Sequence, residues 1–131
     1  ESTMKKLIFA VILLIAGPAF ADPAEGVWKT IPDDNGIYGH IDISMCGEKI
    51  CGVLISSYET DGTPYTSDNT GKQLMWDMVN QGGGNYGKGK VWSPDRDKTY
   101  AGKLILSGDT MTVKGCVFGI CRDGGIWTRV E

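Results

Sequence analysis

The chain carries two pairs of cysteines with the same spacing, and this pattern limits its fold more than any other feature. Four residues separate Cys46 from Cys51, and four separate Cys116 from Cys121. Each pair brackets a glycine-containing turn between stretches that alternate apolar and polar residues, which is typical of a β-hairpin. Partners facing each other on antiparallel strands have Cα atoms about 4.5–5.5 Å apart, within disulfide range. We therefore predict that each pair forms a local disulfide closing one hairpin.

The first 21 residues have the order of an export signal. Residues 4–21 contain two lysines, an apolar run over residues 7–16 and the small-x-small sequence Ala19-Phe20-Ala21, as in a secretory signal peptide. Residues 1–3 precede Met4 and look like a cloning remnant. The apolar run is shorter than the about 20 residues that cross a bilayer. We expect residues 22–131 to form a single domain in the periplasm or outside the cell, compartments in which disulfides persist. We also expect a monomer, and any dimer held together by the leader would be an artefact.

The rest of the chain is predicted to form short strands separated by glycine-containing turns. Turn signals include Asn35-Gly36 and Gly108-Asp109, and residues 59–72 form a long polar loop. About eight strands are predicted, over residues 26–30, 37–46, 51–57, 73–79, 85–92, 99–107, 110–117 and 126–130. The segment 73–79 is also compatible with a helical turn. Chains of this all-β pattern close their edges as barrels or sandwiches. We predict a small antiparallel up-and-down barrel, with a β-sandwich as the alternative.

Two other arrangements of the cysteines remain open at this stage. A bridge between the hairpins would close a longer loop and stabilise the domain more, but in an eight-strand up-and-down order the two turns lie at opposite ends. Four thiolates also suit zinc, although an oxidising compartment disfavours free thiols.

The first and last strands each contribute a residue to a predicted closure of the barrel. Trp28 lies in the first strand and Arg129 in the last, and these strands are neighbours in a closed barrel. A guanidinium can stack on an indole face there, which stabilises by about 0.5–2 kcal/mol. This pair resembles the Gly-x-Trp first strand and terminal arginine of lipocalin-like barrels. The alternative is two unrelated side chains in a core.

A wider set of motifs resembles one known bacterial family. The matching segments are residues 26–28, 46–52, 89–94, 98–100, 114–116 and 121–130. Their order and spacing are similar to the family catalogued as domain of unknown function 2147. The resemblance implies an exported bacterial protein with a lipocalin-like barrel and no established activity, so it supplies no catalytic residues. The chain departs from the family in a short central loop and in Asp77-Met78-Val79-Asn80, which stands where the family has a glycine-aromatic pair.

Signals for catalysis or for a charged partner are weak. His40 is the only histidine, and it shares the polar face of its strand with Asp42. No serine stands in a nucleophile-elbow sequence, and the aspartate pairs 33/34 and 95/97 lie in turns, where aspartate is ordinary. We predict no enzyme, no metal and no cofactor. With a net charge of −3 and scattered basic residues, nucleic acid and anionic membrane surfaces are disfavoured as partners.

Aromatic residues near strand ends and the long loop are the better candidates for a site. The candidates for binding a small apolar ligand are Tyr58, Trp76, Tyr86 and Trp92, because barrel mouths often hold small ligands. A barrel of this size can also be filled by its own side chains. Three functions therefore compete: a binder of a small apolar or amphipathic ligand, a structural or protein-interaction module of the envelope, and, with the least support, a hydrolase.

Overall fold

The computed structural model describes residues 21–131, and these form a closed antiparallel β-barrel. The strands are β1 (Gly26–Lys29), β2 (Tyr38–Cys46), β3 (Lys49–Tyr58), β4 (Pro64–Tyr65), β5 (Gln73–Gly82), β6 (Asn85–Ser93), β7 (Lys98–Ser107), β8 (Thr110–Val117) and β9 (Ile120–Arg129). Their order is β2-β1-β9-β8-β7-β6-β5-β3-β4, and pairing of β2 with β3 closes the ring. The two-residue β4 is an appendage of β3. Eight strands thus make the barrel, which confirms the predicted barrel over the sandwich.

The up-and-down order gives the barrel two different ends. One end, the base, carries the turns at residues 47–48, 83–84 and 108–109. The other end, the mouth, carries the loops at residues 30–37 and 59–72 and the turns at 94–97 and 118–119. Because the first strand starts and the last strand finishes at the base, residues 22–25 and 130–131 lie there too.

Alternation along each strand decides what fills the interior. In β2, Ile41 and Ile43 are buried, whereas Asp42 and Ser44 are exposed. A bulge between His40 and Ile41 shifts the register against β3. The largest fully buried side chains are Trp28, Tyr86, Ile41, Ile43, Ile50, Met75, Met78, Leu104 and Met111. One continuous apolar cluster therefore supports the described domain.

Both cysteine pairs are bonded within their own hairpins. Cys46 is bonded to Cys51, and Cys116 to Cys121. Both hairpins turn over two residues rather than the four that the spacing suggested. Only Cys116 and Cys121 face each other in register; Cys51 lies opposite Ser44, so the first bridge is diagonal. One bridge lies at the base and the other at the mouth, and among the described cysteines no thiol is free to bind zinc.

Some element boundaries differ from the sequence expectation. The last strand begins at Ile120 instead of residue 126. Gly124 and Gly125 interrupt the alternation of apolar and polar residues in the sequence, but the backbone stays extended through them. The segment from residue 73 is a strand, and not a helical turn. The predicted signal peptide and cloning remnant lie outside the described residues, apart from Ala21.

Glycine within β6 lets a neighbouring strand come close. A Cβ on Gly89 would stand 2.5 Å from the backbone oxygen of Trp76 on β5. No side chain fits at such a distance, so this position requires glycine for the two strands to pair. Glycines that alternate within a strand, as in β6, are a sequence signal for such an approach.

Candidate functional site

A short segment before β1 closes the base of the barrel. Ala24 is fully buried, and its carbonyl accepts a hydrogen bond of 2.9 Å from the indole Nε1 of Trp28. The guanidinium carbon of Arg129 lies 4.4 Å from the centroid of the Trp28 ring. Arg129 also donates to the carbonyls of Glu25 at 2.7 Å and Pro23 at 2.8 Å. The structure thus brings Trp28 and Arg129 together at the base, where Arg129 ties this segment to the last strand.

Asp22 anchors the same segment to the opposite wall. Its carboxylate accepts hydrogen bonds from the hydroxyl of Tyr86 at 2.5 Å and from Nδ2 of Asn80 at 3.1 Å. Burial raises the pKa of the Tyr86 phenol, and the hydrogen bond and charge of Asp22 raise it further. Tyr86 is therefore a neutral donor that helps to close the base.

Towards the mouth the interior is not filled. A cavity of about 890 Å³ opens there, within the range of volumes that hold small ligands. Its apolar lining includes Leu74 and Val91, which are partly exposed, and Ile41, Leu54, Met75, Val113 and Trp127, which are buried. Ser57, the one buried polar residue among those described, also lines the cavity. The barrel therefore has a packed base and, at its mouth, a pocket whose lining combines apolar side chains with polar ones such as Ser57, Asn69 and Tyr100.

Charged side chains surround the opening. Asp33, Asp34, Asp95, Arg96, Arg122 and Asp123 line it. The carboxylate of Asp33 accepts from the backbone of its own turn, at Asn35 and Ile37. Asp123 lies 3.8 Å from the ammonium of Lys114. Neither arginine takes part in an ion pair among the described residues, so both guanidiniums are available to a ligand or a surface at the mouth.

The structure separates the four aromatic candidates. Trp92 lines the cavity, and its indole donates to Asp97 at 3.0 Å. Tyr86 belongs to the base, and neither Tyr58 nor Trp76 lines the cavity. Strand-end position alone did not tell which side of the sheet each ring occupies. Sequence reasoning missed Trp127 and Val113 as cavity residues, although alternation along β8 and β9 places both on the inner face.

His40 lies in an aromatic cluster of β2 and β3. Its ring centroid is 4.7 Å from that of Tyr58 and 6.3 Å from that of Tyr38. The ammonium of Lys29 lies 4.5 Å from the centroid of the Tyr38 ring. Burial and the charge of Lys29 lower the pKa of His40. His40 does not line the cavity, so the predicted site and the only histidine are separate.

Residues 21–131 contain neither a cluster of metal-binding side chains nor a membrane-spanning helix. No group of three or more histidine, cysteine, aspartate or glutamate side chains is arranged to hold a metal ion in this part of the chain. The same residues contain no helix with the length and apolar character needed to span a bilayer.

Comparison with known proteins supports the fold. A family model described as "Uncharacterized protein conserved in bacteria (DUF2147)" matches residues 26–129. Among solved structures, the chain is similar to "Protein HP1028 from the human pathogen Helicobacter pylori belongs to the lipocalin family". The TM-score is 0.66 at 14% identity, over 86% of this chain and 85% of that one. No curated protein sequence matches the chain. The structural likeness concerns the lipocalin-like barrel alone.

Proposed function

The chain belongs to the bacterial family of domain of unknown function 2147, and we propose that it binds a small apolar or amphipathic molecule in the cavity at the barrel mouth. The observation that carries this proposal is the unfilled upper half of the barrel. In a cavity of about 890 Å³, water reaches the apolar wall mainly at Leu74 and Val91, and a ligand that covers this surface gains dispersion contacts and releases water.

The polar groups of the cavity favour an amphipathic ligand. Ser57 offers a hydroxyl within the apolar wall, and Trp92 and Arg122 lie nearer the opening. A ligand with an apolar body and one polar end would place the body against Leu54, Val113 and their neighbours. A few placed polar groups in an apolar pocket are typical of small-molecule sites.

The alternatives have less support. Hydrolysis needs an activated nucleophile and a base in one site, and His40 lies away from the cavity. A purely structural role does not explain why the barrel has a cavity at its mouth. The two disulfides suit an oxidising, exported environment, and we propose the periplasm as the place where such a ligand is met.

The proposal is tested by filling the cavity from within. Val113→Phe and Leu54→Phe each add bulk to the apolar wall, whereas Ile105→Phe adds it to the exposed outer wall. Binding of cis-parinaric acid is measured by its fluorescence and by quenching of the total tryptophan fluorescence. We expect each cavity variant to weaken binding by about tenfold or more, equivalent to about 1.4 kcal/mol, and Ile105→Phe to bind like the wild type.

Circular dichroism checks that each variant is folded. Native mass spectrometry of protein recovered from the periplasm then asks whether an endogenous small molecule is retained. If folded cavity variants bind the probe as well as the wild type does, the cavity is not the binding site. If the wild-type protein does not bind the probe and retains no small molecule, the proposal is wrong.

A further inference from the structure

The tip of the β8–β9 hairpin has an unusual residue at its turn. Both turn residues have positive φ, 51° at Phe118 and 80° at Gly119. The other two-residue turns place glycine first, at Gly47, Gly83 and Gly108. Left-handed backbone favours glycine, asparagine or aspartate, and a bulky side chain is an outlier there. Phe118 therefore occupies a turn position whose backbone conformation disfavours a bulky side chain.

Burial does not compensate for this backbone conformation. Phe118 is 99% exposed, Ile120 is 72% exposed, and Val117 and Ile31 are about half exposed. All four residues border the opening of the cavity. The disulfide between Cys116 and Cys121 lies directly below the turn and links the two strands whose ends carry Val117, Phe118 and Ile120. Neither the turn nor the core explains the apolar tip, and local strain of this kind is a sign of function.

We propose that this apolar tip, formed by Val117, Phe118 and Ile120 together with Ile31, seats the barrel mouth on the surface of a lipid bilayer. A side chain that projects freely from a convex hairpin has no wall beside it, so a protein partner would have to supply a fitted pocket. The interfacial region of a bilayer needs no such pocket and takes up aromatic and aliphatic side chains.

The charges around the tip fit zwitterionic lipid. Arg96 and Arg122 can contact phosphate groups, while Asp34 and Asp95 can contact headgroup ammonium groups. The other two carboxylates that line the opening are engaged, Asp33 by its own turn and Asp123 by Lys114. Because both signs are present and the whole chain carries a net charge of −3, strongly anionic lipid should give no advantage.

The position of the tip sets which way the cavity faces when the barrel is docked. The same apolar residues border both the bilayer contact and the cavity, so a docked barrel presents its opening to the lipid. Docking does not require that the cavity binds a ligand, and the two proposals can fail separately.

Phe118→Asn is the decisive variant because it separates docking from folding. Asparagine suits positive φ and precedes glycine in the favoured Asn-Gly turn, so the urea midpoint should be unchanged or higher. Ile105→Ser removes an apolar residue from the outer barrel wall, 40% exposed against 99% for Phe118, and serves as the control away from the tip. Co-sedimentation is measured with vesicles of phosphatidylcholine, and with vesicles containing added phosphatidylglycerol, at low and high salt.

We expect the wild-type protein and Ile105→Ser to sediment with both kinds of vesicle, with little effect of salt. Phe118→Asn should partition about tenfold less, since most of the burial of one large apolar side chain is lost. Val113→Phe, a change within the cavity wall, should keep vesicle binding and lose the probe.

Three results would overturn the docking proposal. The first is a wild-type protein that sediments with neither vesicle. The second is binding by Phe118→Asn equal to that of the wild type, and the third is binding that needs anionic lipid and disappears in high salt. Analytical ultracentrifugation completes the test: self-association that Phe118→Asn abolishes, without vesicle binding, would make the tip a contact between copies of this chain.

Discussion

Replacing Arg129 by alanine tests how the base of the barrel is closed. Arg129 stacks on Trp28 at 4.4 Å and donates to two backbone carbonyls of the segment that precedes β1. Its Nε also donates to Asp109 at 3.0 Å. Alanine removes all these contacts together with the packing of the long aliphatic stem. We therefore expect the segment at residues 22–25 to loosen and the domain to lose stability.

The magnitude follows from the individual contacts. The stacked cation contributes about 1 kcal/mol, and each hydrogen bond to a carbonyl contributes about 1 kcal/mol net. The ion pair adds only a few tenths of a kcal/mol, because Asp109 is largely exposed. The Arg129→Ala variant should therefore lose about 2–4 kcal/mol. Arg129→Lys keeps the charge but cannot stack as a plane or reach both carbonyls, and should lose about half of that amount.

Urea denaturation followed by far-UV circular dichroism measures these losses without relying on Trp28 fluorescence. Arg122→Ala is the matched control, since Arg122 is exposed and has no ion-pair partner in the described part of the chain. Its free energy of unfolding should stay within about 0.5 kcal/mol of the wild type. Asp109→Ala isolates the ion pair and should cost about 0.5 kcal/mol or less.

Two outcomes would refute this account of the base. One is an Arg129→Ala variant as stable as the Arg122→Ala control. The other is an Arg129→Lys variant as stable as the wild type, which would show that charge alone matters and that stacking on Trp28 contributes nothing.

Three further substitutions test other parts of the structure. Tyr86→Phe removes the hydrogen bond to Asp22 and should cost about 1–2 kcal/mol. Because the folded pKa of Tyr86 is raised, the wild type's extra stability should be fully present below about pH 10 and fall as the pH rises further, which urea titrations at several pH values measure. His40→Gln should reduce the loss of unfolding free energy at acid pH in the same series. The folded pKa of His40 is lowered, so the wild type should lose stability relative to the variant as the pH falls below about 6.5. Parallel curves for the two proteins would contradict the shift. Gly89→Ala forces a Cβ against the backbone of β5 and should cost about 1–3 kcal/mol, whereas Gly87→Ala meets only the flexible end of Gln81 and should cost less in thermal or urea denaturation.

Much of the fold follows from local patterns in the chain. Period-two alternation, as in residues 38–46, marks strands wherever they form, and Gly108-Asp109 marks its turn at the position observed. The cysteine spacing predicted bridges within each hairpin because the partners belong to one turn. A barrel made of successive hairpins makes its first and last strands neighbours, so the positions of Trp28 and Arg129 in the sequence were enough to pair them.

Only one of the four aromatic candidates lies at the cavity, and the reason is physical. Trp92 lines the cavity but Tyr58 and Trp76 do not. A one-residue shift exchanges the two faces of a strand, and bulges interrupt the register of both β2–β3 and β3–β5. Such irregularities depend on contacts with neighbouring strands, so alternation counted from the end of a strand does not reveal them.

The amino-acid sequence determined the barrel, its hairpins and their bridges, because these depend on residues that are near one another in the chain or on neighbouring strands. Only the tertiary structure decided that the base is packed and the mouth hollow. That difference depends on the summed volume of inward side chains from all eight barrel strands and on contacts such as Tyr86 with Asp22, which are 64 residues apart. The exposure of Phe118 was likewise invisible to alternation, since it depends on no other described element covering the tip of its hairpin.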